Sequence, residues 1–242
     1  MEALRVTDLR AYYGKAQVLH GLDLSARPGT VTAILGRNGA GKTTLLQSLM
    51  RLGPRVEGAI EILGTSTAGL TPDAIARLGV AYVPQDTRVF PRLSVRENIQ
   101  VAASTVASPR PLREILDVLP EIEPKLDSLA GTLSGGQQQM VSMARSLSMR
   151  CKLLLMDEPT EGLMPRLVTQ VGIVLRRLAS EGVTVVIVEQ NVGLVQAIGD
   201  FIHIVEKGQI KWHGSPAALV SAQVIDRYLG VNILEDPKHT GE

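Results

Sequence analysis

The chain has 242 residues, which suits one large α/β domain or a core with a smaller lobe. Apolar residues make up 45% and aromatic ones only 3%, so the core is aliphatic; a net charge of +1, from 25 basic and 24 acidic residues, excludes the basic footprint of a nucleic-acid binder. One cysteine, Cys151, excludes an intrachain disulfide framework, and no apolar stretch approaches the length of a membrane span.

Residues 1–10 carry charges at positions 2, 5, 8 and 10 and no apolar h-region, so no secretory signal is expected there. The expectation is a cytosolic protein, or one held at a membrane by another subunit. Leu4–Leu9, Gln17–Leu19, Leu22–Ala26 and, further on, Glu57–Leu63 read as short strands of a small antiparallel sheet. Val31–Leu35 is an aliphatic run of the kind buried on both faces of a parallel sheet, and Val80–Val83, Leu153–Met156 and Val183–Val188 are three more. Residues 87–150 hold helical patterns at Ser94–Ala103, Leu112–Leu119 and Gly136–Met149 without strand signals, and read as a helical lobe inserted into the sheet domain. Leu167, Val171, Val174 and Leu178 recur at helical spacing, with Pro165 in the first turn and Gly182 as the stop. Strand, helix and strand over 153–188 make a parallel unit, so the fold class is α/β with a mainly parallel sheet. The tail after Val231 is polar.

Chemistry enters directly after Val31–Leu35. Residues 36–43 read Gly-Arg-Asn-Gly-Ala-Gly-Lys-Thr, the G-x-x-x-x-G-K-[ST] phosphate loop, set between a strand and an apolar-periodic segment (Leu45, Leu46, Leu49). Gly36, Gly39 and Gly41 let successive backbone N–H groups point inward at phosphate oxygens. The helix starting near Lys42 adds its positive end. Lys42 suits the β- and γ-phosphates, and the Thr43 hydroxyl suits Mg²⁺. Gln85 follows the run Val80–Val83 and can coordinate Mg²⁺ through its carbonyl or orient water through its amide; by itself it is an ordinary surface glutamine.

Two further features complete the set. Asp157-Glu158 stand at the end of the run Leu153–Met156, where α/β sheets bind ligands. Taken alone the pair reads equally well as a solvated turn. After a phosphate loop, Asp157 suits Mg²⁺ through water and Glu158 suits polarising an attacking water. Leu133-Ser134-Gly135-Gly136-Gln137 opens a helix and makes a second anion-binding end, over 90 residues from the first. In a head-to-tail pair each copy's Ser134 region would close on the other copy's nucleotide; the alternative is a flexible Ser-Gly linker. His20, His203 and His213 lack ligand spacing, and Cys151 reads as packed rather than reactive.

Together these residues resemble the nucleotide-binding subunit of ATP-binding cassette transporters, over residues 4–230. Gly36–Thr43 match its Walker A loop, Leu153–Glu158 its Walker B, Gln85 its Q-loop and Leu133–Gln137 its LSGGQ motif. The resemblance implies a P-loop ATPase domain over 1–230, ATP and Mg²⁺ as cofactors, and a nucleotide-sandwich dimer. The triphosphate would be held by Gly36, Arg37, Asn38, Gly39, Ala40, Gly41, Lys42, Thr43 and Thr44, and across the dimer by Ser134, Gly135, Gly136 and Gln137. Thr43, Gln85 and Asp157 would hold the metal. Glu158 would be the general base, with Gln85 and Gln190 beside it. Tyr13 would stack on adenine, with Tyr12 a rival for the role. The implied partners are transmembrane permease subunits docking near Gln85, a second cassette subunit (identical or not) and, indirectly, a substrate-binding protein. The implied location is the cytoplasmic face of a bacterial or archaeal inner membrane.

Two positions depart from the family pattern. Gln190 stands where a His usually contacts the γ-phosphate, and Met164 stands where the D-loop usually carries Asp. Gln190 can donate a hydrogen bond but cannot become cationic, and Met164 accepts only weakly; the intact Lys42, Asp157 and Glu158 favour a catalytic ATPase, with a slowly or asymmetrically hydrolysing ATP-binding module as the alternative. Val188–Asn191, Glu161-Gly162-Leu163, Phe90–Val95 and Tyr228-Leu229-Gly230 look like the importer branch for branched-chain amino acids, with urea and short-amide importers close by.

Overall fold

The computed structural model describes residues 2–85 and 89–219. The C-terminal Tyr228-Leu229-Gly230 and the polar tail after Val231 lie outside those residues.

The chain begins with a long hairpin, β1 (Leu4–Tyr13) and β2 (Ala16–Ala26), and then crosses to the central strand β3 (Val31–Leu35). The phosphate loop and helix α1 (Lys42–Leu49) follow. Strand β4 (Arg55–Ile62) returns to pair with β1, and the short β5 (Thr65–Ser66) ends that sheet. Helix α2 (Pro72–Arg77) leads to β6 (Val80–Val83). Between β6 and the next strand the described residues hold helices α3 (Val95–Ala103), α4 (Leu112–Val118) and α5 (Gly135–Ser148), two 3-10 segments and one isolated bridge, Ser94 to Leu129, but no strand. Then β7 (Leu153–Asp157), α6 (Pro165–Ser180) and β8 (Thr184–Glu189) form the strand–helix–strand unit. Helix α7 (Val192–Ile198), the hairpin β9 (Phe201–Glu206) and β10 (Gln209–Gly214), and α8 (Pro216–Leu219) finish the described chain.

Two sheets result. The antiparallel one runs β2-β1-β4-β5 and the larger one β10-β9-β3-β8-β7-β6. In the larger sheet all neighbours are parallel except the edge strand β10. Period-two alternation divides its core. Val31, Ala33 and Leu35 of β3, Val185 and Ile187 of β8, and Leu154 and Met156 of β7 face α5, α6 and α7. Ile34, Val186, Val188, Leu153 and Leu155 face α1 and the antiparallel sheet. Each such Val, Leu, Ile or Met side chain contributes roughly 1.5–3 kcal/mol on burial, which holds these short runs as strands.

Several expectations are refined. Gln17–Leu19 and Leu22–Ala26 belong to one strand: Gly21, at φ 76°, lets it continue through the irregularity opposite Leu9. The strand expected from Val183 starts at Thr184, and the helix expected from Gly136 starts at Gly135 behind its cap, Ser134. The β9–β10 hairpin, α2 and α7 extend the architecture beyond the sequence reading.

Register aligns the C-terminal ends of four parallel strands. Leu35 pairs with Glu189, Val188 with Asp157, and Met156 with Val83. The phosphate loop, Asp157-Glu158, Gln190 and Gln85 therefore emerge along one rim of the sheet.

Candidate active site

The phosphate loop wraps from β3 onto the start of α1. Gly41 caps that helix at φ 102°, a conformation an L side chain rarely adopts. Gly36 is confined differently: a Cβ there would meet the Val205 carbonyl oxygen at 2.6 Å and the Ala40 Cβ at 3.1 Å. Backbone oxygen cannot step aside as a side-chain tip can. Gly36→Ala is expected to displace the loop at a cost of about 1–3 kcal/mol and weaken ADP binding tenfold or more, read by calorimetry. Parent-like affinity would mean that the loop shape is not what holds nucleotide.

Lys42 is 3% exposed and its ammonium is fully engaged. It donates to the carbonyls of Gly36 (2.7 Å) and Arg37 (3.1 Å) and pairs with Glu158 Oε1 at 2.9 Å. The other Glu158 oxygen, Oε2, accepts from Gln190 Nε2 at 2.7 Å, and the same Gln190 amide donates to Asn38 Oδ1 at 2.6 Å. The phosphate loop, Glu158 and the residue after β8 thus meet in one cluster. Glu158 sits at φ 42°, in the left-handed region, and its N–H donates to the Val188 carbonyl (3.0 Å).

Next to it, Thr43 Oγ1 donates to Asp157 Oδ1 at 3.2 Å, and the Tyr82 hydroxyl donates to Asp157 Oδ2 at 3.3 Å. Burial pushes the Asp157 carboxyl above its ordinary range, against the lowering effect of those two hydrogen bonds. A cation beside it would offset that burial. A hydroxyl and a carboxylate at a helix start are also the hard oxygen donors Mg²⁺ prefers, so these residues fit that metal.

The other expected residues take definite places. Gln85 Nε2 donates to Glu161 Oε2, in the loop after β7. Tyr13 is 43% exposed at the end of β1, and its hydroxyl donates to Gln47 Oε1 on α1 at 2.6 Å. Tyr12 is committed elsewhere, donating to Glu57 with the Arg55 guanidinium over its ring. Tyr13 therefore keeps the place beside the phosphate-loop helix. Ser134 caps α5: its hydroxyl accepts from the Gln137 N–H (3.4 Å), and its own N–H donates to Gln137 Oε1 (3.0 Å). Ser134 and Gly135 are exposed while Gly136 is buried against Leu167, so this helix end faces outward. Met164 is 69% exposed.

Sequence reasoning passed over Asn38's bond to Gln190, Tyr82, Glu161 and Glu189. Tyr82 lies in the strand that leads to Gln85, and Glu161 lies three residues past Glu158; proximity to the motifs was their only signal.

A lysine bedded in a glycine loop, a carboxylate paired to it and a buried strand-end aspartate beside it are groups of the kind triphosphate hydrolysis uses. The sequence profile of the ABC transporter family matches residues 19–161. The chain belongs to the ABC transporter family. Its ATPase domain hydrolyses ATP as the nucleotide-binding part of a transporter. A high-affinity branched-chain amino acid transport ATP-binding protein, BraG of Pseudomonas aeruginosa, is 37% identical over 90% of this chain and 96% of its own. A branched-chain amino acid transport ATP-binding protein described as probable, LivF of Archaeoglobus fulgidus, is 33% identical over 93% of this chain and 97% of its own. The lipopolysaccharide export ATP-binding protein LptB of Escherichia coli is 32% identical over 95% and 98%. A crystal structure of an ABC transporter ATP-binding cassette in its ADP conformation superimposes with a TM-score of 0.82 at 26% identity, covering 96% of this chain and all of that one. Among the described residues of this cassette, no helix is long and apolar enough to cross a membrane.

Proposed function

We propose that this cassette energises an importer for branched-chain or related hydrophobic amino acids, binding ATP with Mg²⁺ at the Gly36–Thr44 loop. The observation that carries the chemistry is the convergence of Lys42 and Gln190 on Glu158, beside the Thr43–Asp157 pair. The cation that pairs with Glu158 is the one the phosphates need. Binding ATP exchanges that carboxylate for β- and γ-phosphate oxygens, and Glu158 is released to take a proton from the attacking water. Thr43, Asp157 and Gln85 would hold Mg²⁺, which would supply positive charge against that of the triphosphate. Gln190 orients Glu158 and donates to a phosphate oxygen in place of the usual histidine. The Ser134–Gln137 helix end, exposed at Ser134 and Gly135, would meet the nucleotide of a second cassette. Transmembrane permease subunits would hold the pair at the inner face of the cell membrane, with a substrate-binding protein supplying cargo.

The cargo reading rests on likeness to BraG and LivF. Leucine and urea uptake in cells lacking the chain test it: leucine uptake is expected to fall by tenfold or more with urea uptake unchanged, on the order expected when a transporter loses its ATPase. Loss of urea uptake alone would move the protein to the short-amide importers.

A further inference from the structure

The backbone of Glu158 is strained. A φ of 42° on a residue other than glycine costs on the order of 1–3 kcal/mol and persists only where its surroundings over-determine it. Its N–H bond to Val188 supplies one restraint. The second comes from Glu189, the last residue of β8, which is 2% exposed. Thr160 lies two residues past Glu158 and donates twice to Glu189 Oε1, through Oγ1 at 2.6 Å and through its N–H at 3.1 Å. Glu189 Oε2 accepts from the N–H of Gln190 at 3.0 Å and from that of Asn191 at 3.3 Å. One buried carboxylate thus ties the loop after β7 to the loop after β8.

The chemistry of those four contacts calls for an ionised carboxylate. Every contact comes from a hydrogen-bearing group, and three of them are backbone N–H groups that cannot reverse. Ionised Glu is acceptor-only at both oxygens; an amide in its place would aim N–H at N–H on one side or the other. Burial pushes the Glu189 carboxyl upward, and the four donors oppose that push. No bond from Glu189 reaches Lys42, Thr43 or Asp157 among the described contacts. Its consequence is indirect: the two loops it joins carry Glu158 and Gln190, whose side chains meet at 2.7 Å.

We propose that Glu189 is a positioning residue for hydrolysis, a clamp that holds the Glu158 loop against the Gln190 loop so that base and amide keep one mutual geometry through turnover. The inference rests on the roles proposed above for Glu158 and Gln190. The test is Glu189→Gln in the full chain, with three readouts. Amide exchange of Thr160, Gln190 and Asn191 is expected to speed up together by about tenfold or more, while the interiors of β7 and β8 keep their protection. The kcat for ATP is expected to fall by about tenfold or more, with ADP affinity within about twofold of the parent. Unchanged exchange at the three amides, parent-level kcat, or a loss of protection spread through both strands would overturn the clamp. If Glu189→Gln does not fold, Thr160→Val decides: removing one donor is expected to lower kcat by about threefold and loosen the same amides, and parent values there overturn the proposal. Turnover at the parent rate in Glu158→Gln would instead overturn the role of Glu158 and leave the exchange result standing.

Discussion

Glu158→Gln is expected to stop steady-state hydrolysis while leaving ATP binding no weaker than in the parent. Replacing a positioned general base removes about 10²–10⁴ in rate. The amide keeps the shape of the side chain but offers one acceptor: with its oxygen accepting from Gln190, its NH2 faces the Lys42 ammonium. What changes is the pairing with Lys42. A neutral partner competes less with phosphate oxygens for the ammonium, which is why affinity should hold or rise. Phosphate release by the purified chain, measured beside calorimetric titration with ATP, checks both halves. Turnover within a few-fold of the parent would remove Glu158 from the reaction.

Lys42→Ala is expected to show two losses of separate origin. The first is affinity. The ammonium is the cation bedded in the loop, and removing a charged hydrogen bond to phosphate costs roughly 1.5–3 kcal/mol, a 10- to 100-fold weakening. The second is stability. The Lys42 and Glu158 side chains are only 3% and 7% exposed, so truncating the lysine strands a carboxylate out of water. Breaking a buried pair from one side costs about 3–5 kcal/mol, which lowers Tm by on the order of 10 °C in a chain of this size. The double variant Lys42→Ala/Glu158→Gln distinguishes the origins. Neutralising the stranded carboxylate is expected to recover most of the Tm and none of the affinity. A double variant no more stable than Lys42→Ala would mean that the pair is not what the lysine stabilises.

What the sequence revealed and what it concealed divide along chain distance. The phosphate loop was legible because its chemistry is local: eight consecutive residues set glycine freedom, helix start, cation and hydroxyl, and β3 and α1 flank them as expected. The strands β6, β7 and β8 were legible because burial on both faces demands unbroken aliphatic runs. Strand β9 is buried by the same parallel pairing, but Phe201 and His203 interrupt its aliphatic pattern. Strand β10 alternates exposed with half-buried residues at the sheet edge, and the signal between the two strands, Lys207-Gly208 with both residues at positive φ, passed unread. Helices α2 and α7, six and seven residues long, passed unread, although α4, equally short, did not.

The site followed the same rule. That Asp157 and Thr43 belong together could be inferred from the sequence, since both suit the same Mg²⁺. That Lys42 pairs with Glu158, 116 positions away, and that Gln190 bridges Asn38 to Glu158 depend on the register that sets β8 between β3 and β7. Glu189 was visible only as the neighbour of Gln190. A glutamate ending an aliphatic strand carries no motif, and its importance arises from four donors brought to it by two loops. Tyr13 was the candidate in sequence and Tyr12 its rival; that Tyr13 bonds Gln47 on α1 while Tyr12 bonds Glu57 depends on tertiary packing that no local pattern shows.

The central claim is that this rim grips the triphosphate and that a second cassette completes the grip. The structure of the Glu158→Gln chain with Mg²⁺ and ATP, alone or with its companion cassette, tests it most directly. The expected result is γ-phosphate oxygen on the Lys42 ammonium, Mg²⁺ on the Thr43 hydroxyl, and the serine-capped helix of a second cassette closing over the same phosphate. Nucleotide bound with Lys42 still on residue 158, or with solvent where the second helix belongs, would contradict it.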